Sequence, residues 1–135
     1  FPFPGIVEEA TEIKGKYYSV SPHSTRRKIK TFAQNKRQIT LVKNEKIDSY
    51  IIAEIGATLV GSILQTFTPY SNVEKGQEKG YFKFGGSTVL LLFQKNKVLI
   101  DKDLLKNTKN GLETKILMGE KIGKLNLEAN HESRK

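Results

Sequence analysis

Apolar positions along this chain come in short runs and short alternations, punctuated by Gly, Pro, Asn and charged pairs, a pattern of many brief strands. Residues 6–13 and 16–20 read as two strands with a turn at Lys14-Gly15. Ser21-Pro22 then starts a helix, serine as N-cap and proline in the first helical position, with Ile29, Phe32 and Ala33 on one face. Arg37–Val42 and Asp48–Glu54 form a hairpin through Lys43-Asn44-Glu45-Lys46. Gly56–Phe67 has too many β-branched residues and glycines for a helix and reads as strand bent at Gly56 and Gly61. After a polar loop over 68–80, strands follow at 80–84, 88–94 and 97–100. Asp101 caps a single helical turn carrying Leu104 and Leu105, Asn110-Gly111 ends it, and Thr114–Met118 is the last strand. Residues 124–135 lose apolar periodicity and read as a flexible basic and polar tail.

One internal echo bears on architecture. Gly76 and Gly80 bracket Gln77-Glu78-Lys79, and Gly119 and Gly123 bracket Glu120-Lys121-Ile122. Paired glycines between short strands resemble the turns of lipoyl- and biotinyl-carrier folds, although no lysine sits in a carrier motif. The expectation is an α+β chain, predominantly β: a compact antiparallel β-sandwich or barrel core with quasi-repeated halves and one or two short helices.

Composition narrows the classes. At 135 residues the chain suits one modest domain with a real core. No stretch approaches the roughly 18 apolar residues of a membrane span. A secretory signal is not seen, and Phe1 in place of an initiator methionine reads as a piece of a longer polypeptide. The absence of cysteine excludes disulfides and thiolate metal sites. Two distant histidines and no carboxylate pair at ligand spacing give no metal site, and the glycine runs lack Walker-type or dinucleotide-binding order. The net charge of +9 is spread, with 13 basic against 8 acidic residues over 1–86 and 10 against 6 over 87–135. Such a surface is drawn to polyanions. Its densest cluster, Arg26, Arg27, Lys28 and Lys30 followed by Lys36 and Arg37, makes the first helix a candidate for lying against an anionic bilayer.

The chemistry concentrates at Phe84-Gly85-Gly86-Ser87-Thr88, between β-type residues before it and the apolar run Val89–Phe93 after it. A serine held in a strained turn can attack the carbonyl of the residue before it, and glycine there leaves that carbonyl unshielded. β-Elimination from the resulting ester leaves dehydroalanine, which hydrolyses to a pyruvoyl group.

The stretch Glu74-Lys75-Gly76-Gln77-Glu78-Lys79-Gly80-Tyr81-Phe82-Lys83-Phe84-Gly85-Gly86-Ser87-Thr88 resembles the cleavage region of phosphatidylserine decarboxylase proenzymes. Tyr17–Pro22, Glu54–Ile63 and Met118–Gly123 resemble the same family, in the family's order, so the likeness runs from the first residue to about Gly123. It implies a pyruvoyl-dependent carboxy-lyase, made as a zymogen, that releases carbon dioxide from phosphatidylserine to give phosphatidylethanolamine. Ser87 would be the self-cleavage nucleophile and then the pyruvoyl cofactor that forms a Schiff base with the substrate amine, and Gly86 would supply the carbonyl that is cut. Residues 1–86 would end a β chain and 87–123 form the core of an α chain, the two staying associated in one catalytic domain. The histidine and aspartate of the family's relay match no position here, so the segment alone should neither process itself nor turn over. His23 departs from the family pattern, His131 has no partner at useful spacing, and neither is assigned a role. The implied partner is phosphatidylserine in an anionic membrane, with peripheral attachment at the cytoplasmic face of the cell membrane and no nucleic acid.

Substrate-pocket candidates are Gly85 and Thr88, which shape the turn, and Gly56, Thr58, Gly61 and Ser62, whose small side chains let backbone approach a headgroup. Lys79 and Lys83 lie close to the cut and on one side of an alternating strand, where they would meet phosphate or carboxylate, although a solvated role is the simpler reading. Two alternatives stand beside this reading: a sister lipid such as archaetidylserine, and a non-enzymatic basic β-domain in which Tyr81, Phe82, Lys83 and Phe84 meet anionic surfaces or single-stranded nucleic acid.

Overall fold

The computed structural model describes residues 1–28, 30–58, 60 and 62–126. Residues Phe1–Leu92 make one compact unit and Phe93–Lys135 a second.

The first unit is built on a six-stranded sheet. Its centre is the hairpin of β3 (Arg37–Asn44) and β4 (Asp48–Ile55), in register from Asn44 opposite Asp48 to Arg37 opposite Ile55. Asn44 sets the turn, its Oδ1 accepting from the N–H groups of Lys46 (2.8 Å) and Ile47 (3.0 Å). This is the expected hairpin, with β3 two residues and β4 one residue longer at their C-terminal ends. β1 (Gly5–Val7) and β2 (Thr11–Ile13) both pair antiparallel with β3, β6 (Asn72–Val73) lies outside β1, and β8 (Thr88–Phe93) lies beside β4. Residues opposite one another across paired strands share a face. One face therefore carries Val73, Val7, Val42, Tyr50, Thr40 and Ile52, all buried, and ends at the pair Gln38 and Glu54. At its other end the Tyr50 hydroxyl donates to the Phe3 carbonyl (2.5 Å), and burial pushes that phenol's pKa up to about 12. Thr40 Oγ1 is a buried hydroxyl without a hydrogen-bond partner among the described residues.

A second, two-stranded sheet pairs β5 (Ser62–Gln65) with β7 (Gly80–Lys83), and its side chains meet the Gln38–Glu54 end of that face. The antiparallel, predominantly β character is as expected, but the sheets stay open and no barrel closes among the described residues.

Several element boundaries differ from expectation, each for a local reason. Residues 16–20 make only a single bridge, Lys16 to Asn35, because Asn35 holds the chain instead. Its fully buried side chain accepts from Tyr18 N–H (3.1 Å) and donates to the carbonyls of Tyr18 (2.8 Å) and Gly56 (2.7 Å). The helix starts as expected, with Ser21 as N-cap and Pro22 first, but it splits into α1 (Pro22–Arg27) and α2 (Thr31–Gln34). Like charges four apart at Arg26 and Lys30 work against one continuous helix. Ile29, placed on its apolar face, lies outside the described residues. Gly56–Phe67 is not one bent strand: Ala57 and Val60 close a turn with reciprocal hydrogen bonds (3.0 and 2.9 Å), and β5 begins only at Ser62.

In the second unit, β9 (Val98–Ile100) pairs antiparallel with β10 (Gly123–Leu125), and α3 (Lys102–Lys109) is about two turns long rather than one. Asp101 is its N-cap but makes no side-chain capping bond; its carboxylate pairs with Lys121 (3.1 Å). Thr114–Met118 forms no strand, the partner of β9 being Gly123–Leu125. The expected tail thus begins with two strand residues, Lys124 and Leu125, and 127–135, with His131, lie outside the described residues.

The glycine echo is structural. Gly76 and Gly119 both adopt left-handed φ, +84° and +85°. Gly80 and Gly123 each open a strand opposite the last residue of the partner strand, and a Cβ on either would stand 2.1 Å from the Leu64 carbonyl oxygen or 2.5 Å from that of Leu99. Three helices stand among the described residues where one or two were expected, and none is long and apolar enough to cross a membrane.

Asn35→Ala should lower the unfolding free energy of the protein by roughly 2–3 kcal/mol, since it strands three backbone groups behind a buried side chain. The change reads as a lower urea midpoint at unchanged m-value; an unshifted midpoint would mean that Asn35 does not hold the 16–18 and 56 segments together.

Candidate functional site

β7 ends at Lys83 in the two-stranded sheet, and β8 begins at Thr88 in the six-stranded one. The four residues between them cross from one sheet to the other. Two successive residues in this link have positive φ: Phe84 at +68° and Gly85 at +130°. A bulky residue in that region is strained, whereas glycine tolerates it. Phe84 is held there 79% exposed, its ring under the Lys83 ammonium at 5.2 Å. Gly86 is exposed, and among the described residues nothing lies within 4 Å of where its Cβ would be, so the turn carries no side-chain crowding there.

Ser87 turns inward. Its Oγ donates to the backbone carbonyl of Ile55, the last residue of β4. A carbonyl acceptor orients a hydroxyl but does not deprotonate it, so this bond fixes the side chain and leaves the oxygen lone pairs available for attack. Thr88 is half-buried at the start of β8.

The segment after Ile55 is drawn to the same place. Gly56 is buried, its N–H on the Lys36 carbonyl (2.7 Å) and its own carbonyl on Asn35. Val60 Cγ2 lies 3.5 Å from where a Cβ on Gly85 would stand, and Ser62 pairs with Lys83. The structure therefore brings Gly56 and Ser62 together with the Gly85–Ser87 turn. Thr58 is spent otherwise, its hydroxyl donating to the Tyr17 carbonyl (2.7 Å). Gly61 lies outside the described residues.

The two lysines near the turn part company. Lys83 is exposed. Lys79 is only 9% exposed, and its Nζ binds Glu54 Oε1 at 2.6 Å and Gln65 Oε1 at 2.7 Å, with the Phe67 ring centroid 5.2 Å away. Burial pulls its pKa below the usual lysine range, while the hydrogen bond and charge of Glu54 work against that fall. Gln65 Nε2 donates to Glu54 Oε2 (3.0 Å) and Gln38 Oε1 (2.5 Å), and Gln38 Nε2 donates to the Ile63 carbonyl (3.1 Å). Lys79 is thus no solvated lysine, whereas Lys83 stands exposed at the end of β7.

Of the basic cluster, Lys36 pairs with Glu12 (3.1 Å) and Arg37 donates to the carbonyls of Ala33 (2.7 Å) and Asn35 (3.0 Å), so both serve the fold. Lys28 sits 4.0 Å over the Tyr18 ring. His23 lies exposed on α1. Sequence reasoning missed the Ile55 carbonyl, Glu54, Gln65 and Asn35. The one available signal was Glu54, a lone charge inside the apolar run Tyr50–Ile55, which needs a buried partner.

Comparison with known proteins bears on this arrangement directly. The phosphatidylserine decarboxylase family matches residues 1–124. The phosphatidylserine decarboxylase proenzyme of Fusobacterium nucleatum is 51% identical over 123 residues, which cover 91% of this chain and 41% of that protein. The proenzyme of Clostridium novyi is 50% identical over 119 residues, 88% of this chain and 40% of that one, and that of Desulfitobacterium hafniense strain DCB-2 is 51% identical with the same coverage. The chain spans about two-fifths of the length of the curated relatives it matches. No solved structure gives a significant match. Because the matched region takes in every strand that holds Ser87 and its surroundings, the chain belongs to the phosphatidylserine decarboxylase family.

Proposed function

We propose that this chain is the self-processing portion of a phosphatidylserine decarboxylase, cut between Gly86 and Ser87 to give a β chain ending at Gly86 and an α chain beginning at residue 87. The observation that carries the reading is the link itself: a serine fixed on the Ile55 carbonyl, after an open glycine and two residues of positive φ, strung between two sheets. Ser87 Oγ bonds to the Gly86 carbonyl carbon and the Gly86–Ser87 C–N bond breaks, leaving an ester and a free amine on Ser87. Loss of the Ser87 Cα proton then expels the Gly86 carboxylate from Cβ. The remaining enamine tautomerises to an imine, and water takes the place of nitrogen, which departs as ammonia. We assign the base that takes the hydroxyl proton to the part of the protein that this chain does not span.

The residues present fit a pyruvoyl group at position 87. Gly86 leaves the site open on the upstream side, and β8, lying beside β4, holds the new terminus near the Ile55 carbonyl. That group supplies a carbonyl that condenses with the substrate's primary amine and accepts the electron pair left by departing carbon dioxide. The chain's own part is to hold that terminus and shape its approach through Gly56, Ser62, Gly85 and Thr88. Membership in the phosphatidylserine decarboxylase family supports phosphatidylserine as the substrate class. Exposed Arg27 and Lys30 on and beside α1 suit peripheral attachment to an anionic leaflet. The two chains stay together because β8, downstream of the cut, lies in the sheet formed by strands upstream of it.

Denaturing mass spectrometry of the full-length protein should show two chains, the smaller beginning at position 87 with a blocked, carbonyl-bearing terminus that hydroxylamine modifies with loss of turnover. Ser87→Ala should remain one chain without decarboxylase activity. A wild-type protein that stays intact with a free Ser87 ends this reading. Gly85→Ala should slow cleavage about tenfold or more, since φ of +130° is closed to alanine and the link must find another path. Time-resolved gels of newly made protein measure it, and cleavage at the wild-type rate would show that this conformation is dispensable.

A further inference from the structure

The cluster of Lys79, Glu54 and Gln65 has no part in the bond chemistry above, yet it ties the start of β7, which leads into the link, to β4, whose last carbonyl holds Ser87. Glu54 precedes Ile55 on β4, whose carbonyl holds the Ser87 hydroxyl. Lys79 immediately precedes β7, the strand that delivers Phe84, Gly85 and Gly86. Gln65, the last residue of β5, sits opposite Gly80 and bonds both of the others. The three side chains close a ring of hydrogen bonds at 2.6, 2.7 and 3.0 Å, and Gln38 extends it onto β3. Both charges are buried, at 9% side-chain exposure each. A surface ion pair would be loose, but a buried one with its remaining donors and acceptors satisfied holds one geometry.

We infer that Lys79, Glu54 and Gln65 are positioning residues for self-cleavage: they set the distance between β7 and β4, and thereby how the Gly86 carbonyl is presented to Ser87. The inference rests on the proposed function. Its mechanical basis is short. The Lys79 ammonium is tied to Glu54, one residue from the carbonyl that fixes Ser87, and the Lys79 backbone carbonyl accepts from Thr66 N–H (3.0 Å), which keeps it in the β5–β7 sheet. On the other side, Ser62 opposite Lys83 and Val60 against Gly85 confine the end of β7. A displacement of β7 relative to β4 would therefore reach the link unrelieved. A misplacement of about 1 Å at a reacting centre slows chemistry up to about a hundredfold.

The test is the rate constant of self-cleavage in newly synthesised full-length protein, read on denaturing gels of the soluble, folded fraction. The informative variant is the double change Glu54→Gln with Lys79→Met, which removes the cross-sheet link but leaves no unpaired buried charge. It should cleave about ten- to a hundredfold more slowly than wild type, while decarboxylation per cleaved molecule stays near the wild-type value, because the link no longer exists after the cut. Lys79→Arg, which keeps charge and donors, should recover part of the rate. Val73→Ala is the control: it opens a cavity at buried β6, separated from β4 by two strands in the sheet and outside the β5–β7 pair, and should lower the unfolding midpoint without slowing cleavage. Should the double variant not accumulate, Gln65→Leu, which keeps the Lys79–Glu54 pair and removes the bridge, is read in the same way. Wild-type cleavage in a folded double or Gln65 variant, or slowing that merely follows lost stability as in Val73→Ala, overturns the inference and leaves the proposed function standing. A wild-type protein that never cleaves removes the proposed function itself.

Discussion

The chain must pass from one sheet to another within four residues, and that constraint governs everything around Ser87. β7 is committed to β5 and β8 to its place beside β4, so neither end of the link is free to relax. Phe84 and Gly85 absorb the turn through positive φ, Gly86 is left outside, and Ser87 is turned in to the Ile55 carbonyl. Residues held in such sparsely populated backbone regions cost of order 1–3 kcal/mol each and persist only where the surroundings over-determine them. Here the over-determination is visible as strand pairing on both sides.

The β5–β7 pair could not supply that restraint by itself, because an isolated two-stranded sheet is marginal in water. It has to be docked, and its docking contact is partly ionic. Burying Lys79 and Glu54 carries a desolvation cost that apolar residues would avoid. What the ionic contact adds is register. A one-residue slip of a strand turns every side chain to the other face, which would take Lys79 off Glu54 and leave two buried charges unpaired. An apolar contact tolerates sliding; this one does not. Tyr50 and Phe3 close the opposite end of the same face, with the Tyr50 hydroxyl on a backbone carbonyl.

How much of this was legible beforehand follows from what each feature depends on. The β3–β4 hairpin, the Ser21-Pro22 helix start and strands β7 to β9 were legible because their signals are local: alternation, a capping serine, a turn-forming asparagine. The turn over Phe84–Ser87 was legible as residues, and Gly85 and Gly86 behave as an unhindered turn requires. Residues 16–20 and Thr114–Met118 were misread as strands because a strand exists only where an edge is free to receive it. For 16–20 that edge was replaced by the side chain of Asn35. Lys79 read as solvated because its partner is 25 positions away and no periodicity connects them. The Ile55 carbonyl was out of reach for a stronger reason: a backbone acceptor has no signature in sequence.

The same constraint gives the proposed scission its direction. Before the cut, the link spans two sheets and Phe84 is held at positive φ. Afterwards Phe84 and Gly85 belong to a free end and can return to ordinary backbone regions, while β8 keeps its place beside β4 and β7 keeps its pairing with β5. Strain is therefore released without any strand having to move. Re-forming the bond would require the relaxed end to be driven back into the crossing conformation, and after elimination the serine oxygen is no longer there to accept it. In the proposed scission, rigid flanks would do two things at once: present the Gly86 carbonyl before the break, and keep the upstream sheet and the downstream strand in one body after it.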